Sequence, residues 1–81
     1  MDEFKKILAT DATDVAKIAE MFGYVTGTIV EHSQMEIDMA RAMNDKDALV
    51  KQQIKLSTIK HARDIFNMCY QQVLGEKAWD E

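Results

Sequence analysis

Four consecutive polar residues, Asn44-Asp45-Lys46-Asp47, interrupt two long stretches of helical periodicity, and this break constrains the fold more than any other feature. On its N-terminal side, apolar residues recur near a 3.6-residue period at Val15, Ile18, Ala19, Phe22, Val25, Ile29, Val30, Ile37 and Ala40. On its C-terminal side the stripe is Leu49, Leu56, Ile59, Ala62, Phe66, Cys69 and Val73, with Ile65 and Met68 beside it. So short a connection cannot carry the chain elsewhere, so the two helices must lie antiparallel. The spacing predicts an all-α antiparallel hairpin with helices over 12–43 and 47–74, a short helix over 2–9 and an acidic tail over 75–81. All 81 residues then form one domain.

Local signals set the expected boundaries. Asp2 and Glu3 suit the positive end of the first helix, and Phe4, Ile7 and Leu8 share one side of it. Thr10 or Asp11 can cap the second helix, Asp45 or Asp47 the third, and Gly75 stands where a left-handed residue closes a helix. Gly23-Tyr24-Val25-Thr26-Gly27 is poor helix-forming sequence. A kink or break at Gly23 is the expectation there, with close backbone approach at Gly23 and Gly27 as the competing reading. The expected hairpin core sets Ile18, Phe22, Val25, Ile29 and Ile37 against Ile59, Ala62, Phe66 and Val73, and Cys69 reads as a small buried hydrophobe.

Charge is split between the helices. Residues 23–46 carry a net −2 and residues 47–75 a net +2, which favours facing them. The chain as a whole is at −4, which argues against a duplex-binding surface, so no nucleic acid is expected as a partner. One cysteine makes no internal disulfide, no apolar run approaches a membrane span, and MDEFKK is not a signal peptide. A cytoplasmic protein without membrane insertion is the expectation.

A second apolar stripe on the middle helix carries the functional reading. Met21, Tyr24, Thr28, His32, Met35, Met39 and Met43 recur at three- and four-residue spacing, roughly opposite the first stripe. A helix apolar on two sides must bury both. Either the first helix or the tail covers the second stripe, or a partner does, and flexible methionine suits an adaptable contact. Lys51, Lys55, Lys60 and Arg63 form the one basic cluster. It reads as a solvated face, or alternatively as an anion clasp in a small homo-oligomer, of phage or mobile-element type, that sequesters an anionic signal or a host protein. His32 with Glu36 and His61 with Asp64 lack the converging third and fourth ligands of a zinc site. No nucleophile–base pair or phosphate loop can be picked out, so neither catalysis nor a cofactor or metal is expected.

The segment DALVKQQIKLSTIKHARDIFNMCYQQV resembles the small helical co-chaperones of type III secretion needle subunits. Asp47 stands at the loop, and Leu56, Ile59, Ala62, Ile65, Phe66 and Tyr70 fall in that family's spacing. The resemblance covers the last third of the chain. It implies a hairpin that packs on a tetratricopeptide-like chaperone and, with it, keeps a needle subunit unpolymerised in the cytoplasm. Self-association is the other expectation for the second stripe.

Overall fold

The computed structural model describes residues 2–79, and they form three helices and no strand. Helix α1 spans Asp2–Leu8, α2 spans Asp14–Ala42 and α3 spans Lys46–Leu74. The two long helices pack on each other as the antiparallel hairpin that the polar break dictates, and α1 folds back on α2. Residues 80 and 81 of the expected tail lie outside the described residues.

The reversal is tighter than the four-residue polar break suggests. Asn44 adopts the left-handed conformation (φ 54°) directly after the C-cap Met43. Its N–H donates to the Arg41 carbonyl, and the Asp45 N–H donates to the Ala40 carbonyl at 2.8 Å. This pair of bonds satisfies the last carbonyls of α2, with asparagine in the place usually held by glycine. Asp45 then caps α3 at once, its carboxylate accepting from the Ala48 N–H. At the other end of α2 the cap is Thr13, two residues past Asp11 and three past Thr10, the expected caps, with its hydroxyl accepting from the Ala16 N–H. Gly75 closes α3 with φ 77°, its N–H donating to the Gln71 carbonyl.

Helix α2 is continuous through Gly23 and Gly27, so the expected break does not occur. The missing side chains make room for α3 and the tail instead. A β-carbon on Gly23 would stand 3.2 Å from the Trp79 ring, and one on Gly27 would stand 3.4 Å from an Arg63 nitrogen.

The seam between the helices is also rotated from the expected core. Its buried members on α2 are Ala19, Thr26, Ser33, Ile37 and Ala40, four of them at strict seven-residue intervals. Facing them on α3 are the half-buried Leu49, Gln52, Leu56, Ile59, Arg63, Phe66 and Tyr70, at alternating three- and four-residue steps. That is the pattern of two helices coiled about each other. Ile18, Val25 and Val73, expected in the core, are exposed (61%, 42% and 80%), and Cys69 is exposed as well. Small residues on α2 let the backbones approach, so the bulky neighbours fall outside the contact. The large apolar residues therefore mark the flank of the seam and the small ones its centre.

Two consequences matter for the site. No residue of α3 is fully buried, although the helix has 29 residues. The Cα envelope measures 47 × 29 × 14 Å, the thickness of a single layer, whereas a stable domain normally stacks two. Among the described residues no ion pair links Lys51, Lys55 or Lys60 to α2.

Candidate functional site: two flanks and an outer face

The hairpin has two unlike flanks. On one, the chain beyond Gly75 turns back and seals the seam. Asn67 holds this return by both ends of its amide: Oδ1 accepts from the Ala78 N–H at 2.7 Å and Nδ2 donates to the Trp79 carbonyl at 3.3 Å. The indole then lies nearly parallel to Phe66 and Phe22, with centroids at 5.3 and 6.0 Å. Phe22 and Phe66 themselves stack at 4.4 Å. Arg63 lies over the same indole at 5.1 Å and reaches across the seam. Its Nη1 donates to the Gly23 carbonyl at 2.7 Å and to the Thr26 hydroxyl at 2.6 Å. The Thr26 hydroxyl in turn donates to the Phe22 carbonyl at 2.6 Å. A half-buried cation is thus supplied with acceptors from α2 and an aromatic face from the tail.

The opposite flank is open. Val15, Ile18, Phe66, Cys69, Tyr70, Val73 and Leu74 line a groove of about 270 Å³ with almost wholly apolar walls. No described segment covers it, and Ile65 and Val25 stand exposed further along.

The outer face of α2 carries the second stripe. Its N-terminal part is covered from within the chain: Ile7 of α1 is buried, Phe4 meets Tyr24 edge-on at 6.0 Å, and Met21 is half-buried. Lys17 fixes the end of α1 by donating to the Leu8 carbonyl at 3.0 Å. Beyond α1 the stripe is bare. Thr28 donates to the Tyr24 carbonyl, His32 stands 3.7 Å from Glu36, and Met35, Met39 and Met43 are exposed at 63%, 55% and 73%. The stripe therefore divides into an intramolecular third and an unpartnered remainder.

The four basic residues do not line a common groove. Arg63 is engaged within the hairpin, and Lys60 shares a groove with Gly27, Val30, Glu31, Arg63 and Asp64, where two carboxylates stand with the two cations. Lys51 and Lys55 are exposed elsewhere on α3. Among the described residues no three histidine, cysteine or acidic side chains converge as metal ligands, and no helix is long and apolar enough to cross a membrane. Comparison with known proteins adds no relative: no family model, curated protein or solved structure matches the chain.

The anchored tail was missed in the sequence, where residues 75–81 read as an acidic appendage. The usable signal was the lone tryptophan four residues past a helix-closing glycine, together with two glycines on one side of α2.

Proposed function

We propose that this chain is a non-enzymatic protein-binding module that works as a co-chaperone. Its client is an apolar helix of a secretion subunit, held unpolymerised together with a second, tetratricopeptide-like chaperone. The observation that carries the reading is the run of exposed Met35, Met39 and Met43 on the part of α2 that α1 leaves bare. Unbranched thioethers re-pack around differing apolar surfaces at little conformational cost, which suits the transient capture of a helix. A thin hairpin with little buried core also gains stability by binding, because a partner that favours the folded form shifts its folding equilibrium. The resemblance of residues 47–73 to needle-subunit co-chaperones gives the partner its class.

A photo-crosslinking amino acid in place of Met35, in the full chain expressed in its native cell, tests this. The expected result is two heterologous adducts, one with a helical-repeat chaperone and one with a small helical secreted subunit. Adducts only with other copies of the chain, or none, would overturn the proposal.

A further inference from the structure

The open flank, not the methionine face, poses the larger physical problem. The chain exposes 6043 Å², whereas a compact monomer of 9.3 kDa exposes about 5,000 Å². The excess, about 1,000 Å², is the order of area that each partner contributes to a standard interface, roughly 800 Å². A single layer with an apolar groove along one flank calls for a second layer.

The distribution of residue types along that flank says what the second layer is. Phe22 lies level with Phe66, Thr26 with Arg63 and Ala40 with Leu49. Ile18 is then level with the interval between Cys69 and Val73, and Val25 with Ile65. Ile18 and Cys69 share the groove, so both face the open flank. Seven-residue steps toward the turn stay on the same side of a coiled pair. They lead from Ile18 to Val25, His32 and Met39 on α2, and from Cys69 to Ala62 and Lys55 on α3. Toward the turn the flank therefore gains charge, with Glu36 beside His32 on α2 and Lys51 beside Lys55 on α3, before it ends on Met39. Glu36 stands level with Gln53, midway between those two lysines.

We infer that two copies of this chain pack open flank to open flank about a two-fold axis parallel to the helices, giving a four-helix bundle. In that arrangement α2 of each copy lies against α3 of the other, with both turns at the same end. Ile18 and Val25 of one chain meet Ile65, Cys69 and Val73 of the other, while Glu36 meets Lys51 and Lys55. One operation satisfies both halves of the flank, because the interface is isologous and each contact occurs twice. A two-fold axis perpendicular to the helices would instead set the apolar end of one copy on the charged end of the other. Glu36, Lys51 and Lys55, which among the described residues form no ion pair across the hairpin, are then used between copies to fix orientation. Met35 stays on the outside of the bundle whereas Met39 falls on the packed flank, so the two readings share Met39 and are told apart at Met35, where client binding is tested.

Sedimentation equilibrium on the full chain and two charge-reversed variants provides the test. The unmodified chain is expected to be a dimer. Glu36→Lys alone, and Lys51→Glu with Lys55→Glu alone, set like charges against each other twice per dimer. Each is expected to weaken association about tenfold or more while keeping its helical circular dichroism. An equimolar mixture of the two variants restores opposite charges at every contact and is expected to form a heterodimer as tight as the original. A mixture that associates no better than its components would overturn the arrangement. So would an unmodified chain that stays monomeric at all concentrations, which would leave the flank to a different protein. A readout on the unmodified sequence guards against misfolded variants. Zero-length carbodiimide coupling of mixed isotope-labelled and unlabelled chains is expected to join Lys55 of one chain to Glu36 of another. Coupling of that pair only within single chains would also overturn the inference.

Discussion

The two flanks of the hairpin are built on the same helices yet solve the same problem in opposite ways. One is closed by the chain's own tail: Trp79 covers Phe22 and Phe66, and Arg63 stitches α3 to α2 beneath it. The other carries as much apolar material (Val15, Ile18, Cys69, Val73) and nothing in the described chain lies on it. The difference traces to the residues beside the seam. On the sealed flank α2 presents Gly23 and Gly27, whose lack of side chain admits an indole and a guanidinium. On the open flank it presents branched residues that hold neighbours away. Glycine thus sorts an intramolecular contact from a surface left for another molecule.

The contrast is best tested where the largest effect is expected. Arg63→Ala removes two charge-assisted bonds to α2 and the cation above Trp79, and leaves the part-buried Gly23 carbonyl without its shortest side-chain donor. It is expected to cost about 3 kcal/mol in urea unfolding followed by circular dichroism. In a domain this small that removes much of the stability. Trp79→Ala, which opens the sealed flank without changing the bonds from Arg63 to α2, is expected to cost about 2 kcal/mol. That is less than a fully buried aromatic, because the ring is only half-buried. A change below 0.5 kcal/mol would mean that the two flanks do not differ as described.

Gly23→Ala separates propensity from packing. The new methyl gains about 1 kcal/mol of helix preference but presses on the ring at 3.2 Å. In the Trp79→Ala background the substitution is expected to stabilise by that amount, and in the native background by clearly less. A double-mutant cycle reads the difference as coupling between glycine and tail. Ser33→Ala probes the seam between the flanks. Its hydroxyl is fully buried and finds no acceptor among the described residues, so its removal is expected to stabilise by about 1 kcal/mol. On the open flank Val73→Lys, measured in the Glu36→Lys background, is expected to move stability by less than about 0.5 kcal/mol, because the site is 80% exposed.

The hairpin was legible in the sequence because its determinants are local. Asn44 and Asp45 reverse the chain and cap the next helix within two residues, and such chemistry is visible in a string of letters. The rotation of the seam was not, because a stripe drawn through Val15, Ile18, Val25 and Ile29 follows the largest apolar side chains. Ala19, Ile37 and Ala40 lay on that stripe and are buried in the seam, but the contact also rests on Thr26 and Ser33, whose value is their smallness. Thr26 and Ser33 carry no apolar signal at all. The docking of the tail was harder to read for a related reason. Trp79 and Gly23 lie 56 positions apart, and neither says alone that a ring will fill a gap. The methionine stripe was legible as a pattern, but how much of it α1 covers depends on where Phe4 and Ile7 fall after the Thr10–Thr13 turn.

The tightness of the Asn44 turn also sets an order of events. Contacts beside it, such as Ala40 with Leu49, close only short loops, and each turn of helix further out must close a longer one. Folding of the hairpin would accordingly zip outward from Asn44 and leave the Ala19–Tyr70 end to form last and fray first. The Trp79 clasp sits toward that far end, bracing the zipper where closure is entropically dearest. Amide exchange should follow the same gradient, slowest near Ile37 and quickening toward Ala19, with a secondary minimum at Gly23 where the clasp holds.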